Sequence, residues 1–275
     1  MFDRICAYGK EFLLRFWNVR LLVLALIWLV SMDTSMGQFR NAARELNGRG
    51  NFVILPFLQN NSYFQKMMLS AVVCFYSNAP FMDRHALYQV HRIGKRRWGL
   101  FNHIYLLVSS AALSILLFVL SVLLSGGFVT FTDEWGSLYQ TFANGAYATP
   151  GISVSSSILQ KYHPFQLLAM ILAIDMLAFS VIGMFVYTLS LFVSREAACF
   201  LALVAVFITT LDEWFPIYLF SPLSWLKYSS WRKFYEPNRP DTVYIFTMYL
   251  LLLLIGSYFS QRKLAKMDWK NYEEE

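Results

Sequence analysis

"SNAPFMDRHALYQVHRIGKRRW", residues 77–98, is a short basic stretch set between two long apolar ones. It holds five Arg or Lys and one Asp, so no run inside it can cross a bilayer. Ala86, Leu87, Val90 and Ile93 fall at i, i+1, i+4 and i+7 and make one apolar stripe, while Arg84, His85, Gln89, His91 and Arg92 cover the rest. Pro80 fits the first turn of a helix, and Asp83 lies near that end, where the helix dipole favours negative charge. Gly94 suits a C-terminal cap, because it takes positive φ without strain. Lys95, Arg96, Arg97 and Trp98 then anchor the next apolar segment at an interface. The pattern predicts an amphipathic helix over about 80–93, between two membrane spans.

The composition around this stretch agrees. Of 275 residues, 57% are hydrophobic and 15% charged, against about 25% charged in an ordinary soluble domain. The mean hydropathy is +0.45. With 25 Phe, 16 Tyr and 8 Trp, the chain has the rings that interfacial belts use. The net charge of +6 comes from cations clustered at the ends of apolar runs, which points to orientation in a membrane and not to nucleic acid. Cys6, Cys74 and Cys199 lie in or beside apolar segments and suggest neither a disulfide framework nor a metal site.

Six runs approach the roughly 20 apolar residues that a span needs: 14–33, 63–81, 102–125, 164–193, 197–213 and 242–260. The second carries polar residues and calls for shielding by other helices. With the N-terminus inside, the inner segments hold 14 Lys and Arg and the outer segments 9, so both termini are expected in the cytoplasm. The whole chain, 1–275, reads as one all-α transmembrane domain.

At its start, Phe2, Ile5, Cys6, Gly9, Phe12, Leu13 and Phe16 recur every three or four residues, an amphipathic helix over 2–16 lying at the inner surface. Two outer segments, "FVILPFL" at 52–58 and "WFPIYLFSPLSWLKYSSW" at 214–231, are apolar but too short or too broken to span. Both are expected as short helices dipping into the outer leaflet, buried against protein. The loop at 126–163 is Gly- and Ser-rich and reads as irregular. The tail from 261 to 275 reads as a fraying cytoplasmic extension.

Two features carry possible mechanism. The helix at 80–93 either lies on lipid headgroups or docks a cytoplasmic partner. Asp175 lies in the middle of the fourth span, where an ionisable group is costly and suggests a translocation path or another functional polar site. The alternative is a structural carboxyl, protonated or paired with another helix. On the same helix Ala169, Ala173, Ser180 and Gly183 form a small-residue face suited to close packing. His85, His91, His103 and His163 do not converge on metal-ligand spacing, and the chain carries no catalytic motif.

The order of parts resembles the membrane subunit of an ABC-2-type (type V) ABC transporter. The segment "NAPFMDRHALYQVHRIGKRRWGLFNHIYLL" is similar to the coupling region of small Gram-positive bacterial permeases, with Arg92, Gly94, Lys95, Arg96 and Trp98 in the corresponding pattern. The resemblance implies an elbow helix at 2–16, six spans, a coupling helix at 80–93, and short re-entrant helices between spans five and six. It implies an ABC ATPase subunit docking on Pro80, Asp83, Arg84, His85, Leu87, Tyr88 and Arg92, with ATP and Mg held by that subunit and no cofactor or metal in this chain. A second permease copy or a related permease, in the plasma membrane of a bacterium, would complete the exporter. Antimicrobial peptides, other peptides, lipids and drugs all stand open as substrates. A membrane scaffold or sensor that recruits a signalling partner is the competing expectation.

Overall fold

The computed structural model describes residues 12–13, 15–82, 84–145, 152–208, 219–232 and 238–267, with backbone alone at 84–87. Among these residues there are ten α-helices: α1 (Val19–Glu45), α2 (Leu55–Gln59), α3 (Ser62–Tyr76), α4 (Arg84–Ile93), α5 (Lys95–Leu124), α6 (Gly136–Ala143), α7 (Ser156–Lys161), α8 (Pro164–Ser190), α9 (Arg195–Ile208) and α10 (Thr242–Lys266). Two 3-10 turns, Pro222–Leu226 and Tyr228–Ser230, precede α10. The single departure from all-α is a two-residue parallel pairing of β1 (Gly50–Asn51) with β2 (Val129–Thr130), in the register Gly50↔Val129 and Asn51↔Thr130.

Four helices, α1, α5, α8 and α10, are long and apolar enough to cross a bilayer. They have 27, 30, 27 and 25 residues. At 1.5 Å per residue, each is longer than the roughly 30 Å of hydrocarbon. The chain is therefore a helical membrane protein. Two of the six expected spans are not of this kind. The second is α3, only 15 residues, about 22 Å long. Most of its residues are buried among α1, α8 and α9, as its polar composition required. The fifth is α9, whose 14 residues end at Ile208, with 209–218 outside the described residues.

Local chemistry sets the helix boundaries. The first span does not start at residue 14. Of the elbow helix expected at 2–16, residues 2–11 and 14 lie outside the described residues; 12–13 and 15–16 are helical, the chain breaks at Trp17–Asn18, and the Asn18 side chain caps α1 by accepting from Leu21 N at 3.1 Å. Asn61 caps α3 in the same way, accepting from Tyr63 N at 2.9 Å. Pro164 opens α8 at a position whose N–H would have no helical partner. Asp241 caps α10. The tail is helical as far as Lys266, with Leu264 fully buried, so the fraying expected from residue 261 does not begin there.

α8 is the hub. It packs against α3, α5, α9, α10 and the Pro222–Leu226 turn. Gly183 lets α3 and α5 close on it, since a Cβ there would lie 2.9 Å from Leu106 and 3.0 Å from Tyr76. The expected small-residue face is real only on this half of α8: Ser180 and Gly183 are buried, but Ala169 is exposed.

The helices leave one end of the bundle for α4 and gather the long connections at the other, here the far end. Apolar side chains face outward on α1 at Val19, Val23, Leu26 and Val30, and on α5 at Leu100, Ile104, Val108, Ile115, Val119 and Leu123. On α1 the same stripe turns polar at Asp33 and Thr34 and stays so through Asn41 and Arg44.

The connection at 126–163 is more ordered than its composition suggested. It holds β2, α6 and α7, and Asn51 ties it down by donating to Thr132 O at 2.6 Å and Glu134 O at 2.8 Å. Residues 52–59 are wholly buried, with α2 inside.

Candidate functional site

The α4 end contains the first group of expected site residues. The helix is present, but it starts at Arg84, not at 80. Pro80 is not in its first turn. It is buried in the turn at 77–80, after a cis Ala79–Pro80 bond. Asp83 lies outside the described residues, as do the side chains of Arg84, His85 and Leu87. The remaining part of the stripe behaves as expected, with Val90 buried and Ile93 half-buried. Tyr88 is 78% exposed, and His91 and Arg92 point to solvent beside it. Gly94, at φ +85°, separates α4 from α5, and its N–H returns to Val90 O at 2.9 Å.

The turn before α4 is held by a cluster that sequence reasoning did not find. The Phe81 ring stacks on Tyr187 of α8 at 6.1 Å and meets Tyr105 of α5 edge-on at 5.2 Å. The Arg15 guanidinium lies 5.9 Å from the centre of the same ring. Arg15 also donates to Asn102 Oδ1 at 3.1 Å, and Asn102 Nδ2 donates to the Tyr187 hydroxyl at 3.4 Å. Phe81 itself has φ +63°, a conformation that costs a bulky residue roughly 1–3 kcal/mol. A second polar knot lies deeper: the Tyr76 hydroxyl sits 2.9 Å from Ser109 Oγ and 2.8 Å from Ser110 Oγ. His103 is buried on α5 between Ser257 Oγ and Ser260 Oγ of α10, so it is a packed helix-to-helix link. Lys95 Nζ donates to Met267 O at 2.6 Å and joins the start of α5 to the end of α10.

Asp175 lies far from this cluster, eleven residues into α8 and about 16 Å from its start. It is fully buried and paired. Gln59 Nε2, at the end of α2, donates to both carboxyl oxygens at 2.8 Å. Met68 Sδ lies 3.8 Å from the same nitrogen, while Gln59 Oε1 has no partner. A second glutamine supports this corner, Gln65 Nε2 donating to Leu223 O at 2.5 Å. Tyr249 of α10 donates to Pro222 O at 2.7 Å. The two far-end segments, 52–59 and 222–230, therefore pack down onto the bundle, 52–59 reaching Asp175 itself. The 222–230 segment is 3-10 turns and not α-helix, and 214–218 lies outside the described residues.

Further out, Tyr228 closes the far end by donating to Ser153 O, and burial pushes its hydroxyl up to about 12.

The expected site residues thus fall in two separate places: the exposed Tyr88 and Arg92 of α4, which packs on α5, and the buried Asp175 with Gln59. Among the described residues no group of His, Cys, Asp and Glu is arranged to hold a metal ion. Comparison with protein-family models, with curated proteins and with solved structures gave no match for this chain.

Proposed function

We propose that this chain is the membrane subunit of an ATP-driven exporter of the ABC-2 type. The observation that carries the reading is α4: a short amphipathic helix between α3 and α5 that tucks Val90 inward and offers Tyr88, His91 and Arg92 outward. A helix that only lies on lipid turns its apolar residues to the acyl chains and its cations to the headgroups. Here the aromatic Tyr88 stands out with the basic residues, which suits a groove on a protein partner. α4 then serves as the coupling helix, with Pro80, Asp83, Arg84, His85, Leu87, Tyr88 and Arg92 at or beside the contact.

In this reading α3 and α9 complete a six-span bundle, the helical residues just before Asn18 belong to the elbow expected at 2–16, and the described parts of 52–58 and 214–231 are re-entrant segments of the outer leaflet. Both termini are cytoplasmic in a bacterial plasma membrane. A separate ABC ATPase holds ATP and Mg, and a second permease copy or a related permease packs beside this one. The work done on the substrate, a peptide, lipid or drug, derives from the ATPase pair closing and moving α4. Asp175 takes part as a polar lock between α8 and the outer segment.

Purification of the tagged chain in mild detergent tests the reading. Recovery of a stoichiometric ABC ATPase supports it, and its loss with Tyr88→Ala plus Arg92→Glu places the contact on α4. Recovery of a kinase or another signalling protein, with no ATPase, overturns it in favour of a scaffold or sensor subunit.

A further inference from the structure

We propose that Phe81 is a positioning residue, the wedge through which movement of α4 is delivered to α8. The inference deepens the permease reading and rests on it for the source of movement, while the wedge itself belongs to this chain alone.

Three observations converge on it. The first is backbone conformation. Phe81 has φ +63°, in the left-handed region that a bulky side chain avoids. A residue that only filled space could do so with ordinary backbone. Such a conformation persists where the surroundings over-determine it. The second is what surrounds the ring. It is 7% exposed and touches three elements at once: Tyr187 on α8, Tyr105 on α5, and Arg15 ahead of α1. Asn102, on α5 with Tyr105, accepts from Arg15 and donates to Tyr187, so hydrogen bonds also join these elements.

The third is chain distance. Phe81 precedes the first residue of α4 by three positions, so α4 has little slack with which to move independently. The Phe81 N–H is bonded to Asn78 O at 3.0 Å, which keeps the turn closed on the other side. Arg195, the first residue of α9, reaches Met82 O at 3.4 Å. A displacement of α4 therefore pulls the ring, and the ring bears on Tyr187. From Tyr187, α8 continues for twelve residues to Asp175, about 18 Å of unbroken helix. The contact face for the ATPase and the buried lock are then the two ends of one lever, with Phe81 at the joint.

The test uses the full chain in lipid nanodiscs, with Cys6, Cys74 and Cys199 replaced by Ser. Spin labels go on Tyr88→Cys of α4 and Arg262→Cys of α10, both exposed positions. With Phe81 present, the label-to-label distance should be a single narrow distribution. Phe81→Gly permits the same φ but removes the ring, and should at least double the width. Phe81→Tyr should restore the narrow form. A distribution that stays narrow in Phe81→Gly overturns the wedge. With the ATPase bound, Phe81→Gly should lower transport per ATP hydrolysed at least fivefold at unchanged membrane abundance, and Phe81→Leu, which keeps the core filled, should lower it less. A fall in abundance that accounts for all lost transport, with transport per ATP unchanged, would show Phe81 to be packing alone and also overturns the proposal. The label distances need no ATPase, so failure of the wedge and failure of the permease reading are read separately.

Discussion

Gln59 Nε2 stands 2.8 Å from each carboxyl oxygen of Asp175, and both residues are fully buried although 116 positions separate them in the chain. One amide thus fastens a short segment from the far end to the middle of α8. Asp175→Leu removes both acceptors and leaves that amide stranded, at an expected cost of about 2–4 kcal/mol. Asp175→Asn keeps a carbonyl oxygen and should cost about 1 kcal/mol. Gln59→Leu combined with Asp175→Leu should be less destabilised than Asp175→Leu alone, because nothing polar is left unpaired. Thermal unfolding in detergent checks the series, and simple additivity would count against the pairing. Asp175→Asn should also change transport while assembly is kept. Equal loss of transport and abundance would make Asp175 purely structural.

Topology gives an independent check. A reporter fused after Glu275 and another placed near Gly94 should both read cytoplasmic, and one near Gly145 should read external. An external signal at Gly94 would reverse the assignment of α4 to the partner-facing side.

The proposed docking by α4 predicts concentrated energetics. Leu87→Ala with Arg84→Glu, or Tyr88→Ala with Arg92→Glu, should release the ATPase or uncouple hydrolysis from transport, with each anchor worth roughly 1–4 kcal/mol of binding. The chain itself should stay in the membrane at normal abundance. Retention of the ATPase with normal transport in both double variants would reduce α4 to a lipid-facing anchor.

Helix closure at Gly183 is equally open to measurement. Gly183→Ala forces a methyl to within 2.9 Å of Leu106 and should destabilise the bundle by about 1–3 kcal/mol. Gly183→Ala with Leu106→Ala should recover part of that loss. Melting temperature and monodispersity in detergent report it, and an unchanged melting temperature in Gly183→Ala would mean that α5 and α8 are not held so close.

Much of this architecture was legible because apolar runs announce membrane helices directly. Ends were harder. The apolar run beginning at residue 14 hides the Asn18 cap, and the basic residues 95–97, expected as an interfacial anchor, also fill the first turn of α5. The run at 63–81 carried polar residues and called for shielding, and it folds as a 15-residue helix buried among α1, α8 and α9. Asp175 stood out as an ionisable group in an apolar run. Gln59 did not, because its partner is distant in sequence. Phe81 left no signal either, since Arg15, Tyr105 and Tyr187 come together around its ring only in the fold.

The outward apolar stripes of α1 and α5 have different heights. On α1 the stripe runs from Val19 to Val30, about 17 Å of helix rise, before Asp33 ends it. On α5 it runs from Leu100 to Leu123, about 35 Å. Where both flanks face lipid, they favour different bilayer thicknesses, a difference met by local thinning beside α1 or by a lean of the bundle at a fraction of a kcal/mol per ångström. The activity of the chain should then respond to the acyl-chain length of the membrane that holds it.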